Sequence, residues 1–118
     1  VGGTVIEFSI AACPMPMNAW RKQHWSVRAR EQKLWATRMA VARLTLPMTS
    51  RACVSPAIVT LTFTAPRRRD PDGLAKCVLD GLVFAGLIAD DGPPHLVELR
   101  LRSERGKPAE TRVRIEEA

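Results

Sequence analysis

The chain has 118 residues, 46% of them hydrophobic and 25% charged, with 18 Lys and Arg against 12 Asp and Glu. That length gives one domain, 1–118, with a modest buried core, and no apolar run is long enough to span a bilayer. The net charge of +6, carried mostly by arginine, attracts polyanions and suits bidentate phosphate contacts.

In chain order, Ile6, Phe8 and Ile10 alternate with Glu7 and Ser9, which predicts a half-buried strand. Pro14 and Pro16 then break regular structure. A basic, aromatic stretch follows, Trp20-Arg21-Lys22-Gln23-His24-Trp25. Ser26 is the expected N-cap of a long helix ending near Leu46, before Pro47. Trp35, Met39, Ala42 and Leu46 recur at helical spacing, with Leu34 and Val41 expected to widen the buried stripe.

Val59, Leu61 and Phe63 alternate with Thr60, Thr62 and Thr64, the clearest strand pattern in the chain. A second helix is expected from about Gly73 to Ala85, with Leu74, Val78, Leu82 and Ala85 on its buried face and Gly86 at its C-terminus. Val97, Leu99 and Leu101 predict another strand, Val113 and Ile115 the last, and Ser103 to Ala109 reads as a hairpin connection between them. The fold class is α/β (mixed): a single β-α-β-α-β-β domain whose strands each have one apolar face, giving a mixed sheet with two helices packed on one face.

Cys13, Cys53 and Cys77 are scattered and odd in number, without a C-x-x-C pair, so neither a disulfide framework nor a zinc site is expected. Reduced thiols and the lack of a recognisable leader point to a cytoplasmic protein. His24 and His95 are expected to be solvated or hydrogen-bonded.

Chemistry concentrates in one window. All five aspartates, Asp70, Asp72, Asp80, Asp90 and Asp91, fall within it, directly after Arg67, Arg68 and Arg69. Crowded carboxylates repel one another unless a cation neutralises them, and hard oxygen donors suit Mg²⁺. Pro71 favours extended backbone before it, so Asp70 and Asp72 are expected to project together. Lys76 and Asp80 stand one helical turn apart on a face distinct from the apolar stripe. If Leu87-Ile88-Ala89 packs beside the central strand, one of Asp90 and Asp91 returns over Asp70 and Asp72. Each piece also has a plainer reading: a salt-bridged loop, a surface ion pair, a turn.

The ordered set R-R-x-D-x-D-x-x-x-K, then L-D-x-L, then a glycine and a paired D-D resembles the RusA family of Holliday junction resolvases. Pro14-Met15-Pro16-Met17-Asn18-Ala19-Trp20-Arg21 resembles that family's proline-rich opening, and the resemblance covers nearly the whole chain from Ile6. It implies a homodimeric, Mg²⁺-dependent endodeoxyribonuclease (Mn²⁺ substituting) that cuts four-way DNA junctions in recombination and repair, in a bacterial or phage setting. It places the catalytic carboxylates and metal ligands at Asp70, Asp72 and Asp91 and the catalytic lysine at Lys76, with Asp80 and Asp90 in support. DNA contacts are expected at Arg67, Arg68, Arg69, Asn18, Arg21 and Lys22, and Trp20 and Trp25 are candidates for base stacking. Gly73 departs from the asparagine usual in the family, which keeps a second reading in view: a branched-DNA-binding module of the same fold that does not cut. The open-face arginines Arg100, Arg102, Arg112 and Arg114 are read as a solvated mixed-charge surface.

Overall fold

The structure, a computed structural model, describes residues 5–14, 24–67 and 71–118, and for Asp72 the backbone alone. Its elements are β1 (Val5–Ile10), α1 (Trp25–Thr45), β2 (Ala57–Ala65), α2 (Asp72–Phe84), β3 (Leu96–Arg105) and β4 (Glu110–Glu117). The expected element order and mixed α/β class hold. Among the described residues, no helix is long and apolar enough to cross a membrane.

The four strands form one sheet in the order β1-β4-β2-β3, with β2 and β3 parallel and the other two pairings antiparallel. β3 and β4 are therefore not neighbours, and the segment read as a hairpin connection is a crossover past the end of β2. Gly106 N–H donates to Ala65 O at 2.8 Å and pins that crossover to the strand it passes. The central position of β2 has a simple cause. Ala57, Val59, Leu61, Phe63 and Ala65 are all buried, the most apolar face any strand offers, and burial is greatest with neighbours on both sides.

Register sets the two faces. Ile6 and Ile115, Phe8 and Val113, Leu61 and Val113, and Leu61 and Leu101 stand opposite one another and face the helices. Trp35 and Met39 of α1 and Leu74, Val78 and Leu82 of α2 complete that single core. Leu34 and Val41, expected in the stripe, are exposed (42% and 55%). They lie on the flank of α1 turned away from α2, so the helix buries a narrower face than its periodicity offers.

Helix ends follow from backbone hydrogen-bonding needs. α1 starts two residues earlier than expected: His24, not Ser26, is the N-cap, and its Nδ1 accepts from Ser26 N–H at 3.2 Å. At the other end, the Arg51 guanidinium donates to Leu46 O (2.9 Å) and Leu44 O (2.7 Å), satisfying carbonyls without intrahelical partners. α2 ends in a Schellman motif. Leu87 N–H donates to Leu82 O and Gly86 N–H to Val83 O, both at 3.0 Å, with Gly86 at φ 77°. Leu82 and Leu87 are both fully buried, which supplies the motif's apolar contact.

The two helices approach closely at Gly81. A Cβ added there would lie 2.8 Å from Met39 Cγ and 3.1 Å from Trp35 O, so only glycine fits without displacement.

Candidate functional site

α2 carries the acidic window. It begins at Asp72, seven residues after the last residue of β2, with Pro71 in helical conformation (φ −65°, ψ −27°). Asp72 thus opens the helix, as expected, and Pro71 before it is already helical; the expected extended backbone at Asp70 and its projection beside Asp72 lie outside the described residues. Asp70, Arg68 and Arg69 lie outside the described residues, as do Asn18, Trp20, Arg21 and Lys22. Arg67 is described and exposed.

Lys76 follows Asp72 by one turn and Asp80 by another, so all three positions lie along one side of α2. Lys76 Nζ is 3.1 Å from Asp80 Oδ1 and 3.4 Å from Asp91 Oδ2. The ammonium is thus held between two carboxylates that are far apart in sequence. The hydrogen bond to Asp80, then its charge, with Asp91 adding to both, raise the Lys76 pKa above the ordinary lysine value. Lys76 is accordingly a permanent cation at any physiological pH.

Asp91 reaches Lys76 because the chain doubles back after α2. The Schellman turn reverses direction at Gly86, and Leu87-Ile88 then pairs with Val54: Val54 N–H donates to Leu87 O at 2.9 Å, and Ile88 bridges Val54 in parallel. Val54 precedes β2, so the returning segment lies just outside the central strand instead of beside it. Leu87 and Ile88 are fully buried and act as the anchor. Asp90 and Asp91 make different contacts. Asp90 Oδ1 accepts from Asp91 N–H at 2.8 Å and stays with the turn, while Asp91 points to Lys76.

Other side chains separate into structural and exposed classes. Trp35 is fully buried, and its Nε1 donates to Glu31 Oε1 at 3.1 Å. Trp25 is 66% exposed at the start of α1, with its ring against His24. His95 Nδ1 lies 2.9 Å from Ser55 Oγ, so neither histidine is placed as a ligand. Among the described residues, no three His, Cys, Asp or Glu side chains gather around a point.

The electrostatics of the two faces differ in a way the composition conceals. The open sheet face carries Arg100, Arg102, Arg112 and Arg114 with Glu7, Glu98, Glu104, Glu110 and Glu116. Arg112 pairs with Glu104 and Glu110, Arg114 with Glu7 and Glu116, and Arg100 with Glu98. Five glutamates against four arginines make this face slightly acidic. α1, by contrast, carries Arg28, Arg30, Lys33, Arg38 and Arg43 with only Glu31 opposing. The basic surplus lies on the helical side, where Lys76 and Asp91 meet.

No protein-family model matches this chain, and no curated protein matches it.

Proposed function

We propose that this chain is a metal-dependent, structure-specific endodeoxyribonuclease that resolves four-way DNA junctions, of the RusA kind. The observation that carries the reading is the return of Asp91 to within 3.4 Å of Lys76, one helical turn beyond Asp72. A turn-bound Asp-Asp pair has no structural need of a lysine fifteen residues upstream. The resemblance of the ordered motif supplies the reaction class, and the basic helical side supplies the polyanion attraction.

In this reading Asp70, Asp72 and Asp91 hold Mg²⁺, with Mn²⁺ able to replace it. The donor set fits: carboxylate oxygens are the hard ligands Mg²⁺ takes, and Asp91 engages Lys76 through Oδ2 only, keeping Oδ1 for a cation. When bound, the metal lowers the pKa of a coordinated water and stabilises charge on the leaving oxygen. Lys76, held as an ammonium beside Asp80, presents positive charge to the scissile phosphate. Asp80 orients Lys76 from the next turn of α2. Arg67, Arg68 and Arg69, with Asn18, Arg21 and Lys22, grip flanking backbone without reading sequence. The exposed ring of Trp25 suits stacking on an unpaired base. Two opposed strands of a junction call for two sites related by a two-fold axis, hence a homodimer.

The runner-up, a module that binds branched DNA without cutting, is favoured by one feature. Gly73 replaces the family's asparagine, and among the described residues no side chain caps the start of α2. Gel analysis of a synthetic four-way junction with and without Mg²⁺ separates the two. Symmetric nicking by the native protein, lost in Asp70→Asn and Asp72→Asn while junction binding persists, is the expected result. Binding without metal-dependent nicking favours the module, and cleavage retained by both variants refutes the assigned roles.

A further inference from the structure

The two helices run in the same direction and in step. Gly81 of α2 meets Trp35 and Met39 of α1. β1, β2 and β3 all run in one direction, so the helices that link them, α1 and α2, share the opposite one. Two turns nearer the N-termini, the same register brings the Arg28 position level with Gly73, in the turn that contains Asp72.

Arg28 lies seven residues before Trp35, two helical turns away, and so shares the face that α1 turns toward α2. It is half-buried. Other arginines have evident employment: Arg38 lies 4.9 Å over the Trp35 ring, Arg43 and Arg51 bond backbone carbonyls, and Arg100, Arg112 and Arg114 are ion-paired. Arg28, Arg30, Arg67, Arg102 and Arg105 have no partner among the described residues. Of these, Arg28 is half-buried and the other four are exposed. With no carboxylate paired to it among the described residues, the Arg28 guanidinium keeps its donors for an arriving anion.

We infer that Arg28 binds a DNA backbone phosphate beside the first turn of α2, adding a contact from α1 to those of the Lys76–Asp91 site. The inference rests on the nuclease reading above. Arg28 is a binding and positioning residue in this assignment, and its five-donor fork suits two phosphate oxygens.

The test measures junction affinity by fluorescence anisotropy in EDTA, so that no cleavage intervenes, across a series of NaCl concentrations. Native protein, Arg28→Gln, Arg28→Met, Arg28→Lys and the control Arg100→Gln are compared, with thermal melts confirming each fold. Arg28→Gln and Arg28→Met are expected to weaken binding about 10-fold near 0.1 M salt and to reduce the salt-dependence slope by about one. Arg28→Lys retains the slope, and Arg100→Gln, on the ion-paired open face, changes neither quantity. An unchanged slope in both neutral variants while the native protein binds junctions overturns this inference alone and leaves Arg28 a packing residue. Failure of the native protein to bind any junction overturns the nuclease reading and this inference together.

Discussion

Replacing Gly81 by Ala tests the helix register on which the site's geometry depends. The new methyl carbon meets Met39 Cγ at 2.8 Å and Trp35 O at 3.1 Å, against ordinary carbon contacts of about 3.5–4.0 Å. Trp35 O is backbone and moves only with α1. Met39 is a flexible side chain, but it is fully buried, so any shift presses on its neighbours. Overpacking by one methyl in a filled core costs about 1–3 kcal/mol, and the contact with rigid backbone puts this site in the upper part of that range, about 2–3 kcal/mol. Against this, Ala is favoured over Gly inside a helix by about 1 kcal/mol. The balance is a net loss of about 1–2 kcal/mol, which lowers Tm by roughly 4–10 °C in a domain of this size. Thermal unfolding followed by circular dichroism reads it directly. Met39→Ala in the same background removes the worse contact, so the two changes should couple favourably by about 1 kcal/mol in a double-mutant cycle. A Tm equal to or above the native value for Gly81→Ala refutes the close helix approach and with it the placement of Arg28.

Lys76→Ala should abolish Mg²⁺-dependent junction cleavage while changing stability by less than about 1 kcal/mol, since both its ion pairs are solvent-accessible; denaturant unfolding alongside the cleavage assay separates a lost function from a lost fold. Thiol reagent at pH 8 should label exposed Cys53 in the folded protein and Cys77 only after unfolding, because burial pushes the Cys77 thiol up to about 11, helped by the charges of Glu31 and Asp80. The raised value means the native state holds its proton longer than the unfolded chain. Stability should therefore decline as pH rises from the ordinary thiol range to about 11, and Cys77→Ala should flatten that decline in pH-dependent unfolding. Thr111→Val should cost about 1–2 kcal/mol in the same assay, because the fully buried Thr111 Oγ1 donates to Ala12 O at 2.7 Å and valine leaves that carbonyl without its donor.

Local periodicity sufficed to place all four strands and both helices, because each element's apolar face repeats at its own backbone period and Pro47, Pro66 and Gly86 punctuate the chain. It also placed Lys76 and Asp80 on one side of α2, a matter of helical spacing alone. The strand order was not legible. Ser103 to Ala109 has the residues of a reversal, yet β2 lies between the strands it joins, because the most apolar strand gains most from two neighbours. The starting cap of α1 was similarly misplaced: His24 and Ser26 both offer capping groups, and the choice between them depends on where the chain arrives from.

The approach of Asp91 to Lys76 shows the division most plainly. The motif order marks both residues as belonging together, but their distance depends on burial of Leu87 and Ile88 against Val54, a contact between segments more than thirty residues apart. The same holds for charge: composition gives a basic protein, and only the pairing register reveals that the open sheet face is neutralised while α1 keeps its cations. Spacing along a backbone is a local property and can be read in one dimension. Which surfaces meet depends on the competition among all apolar faces for the same core, and that is settled only when the chain has folded.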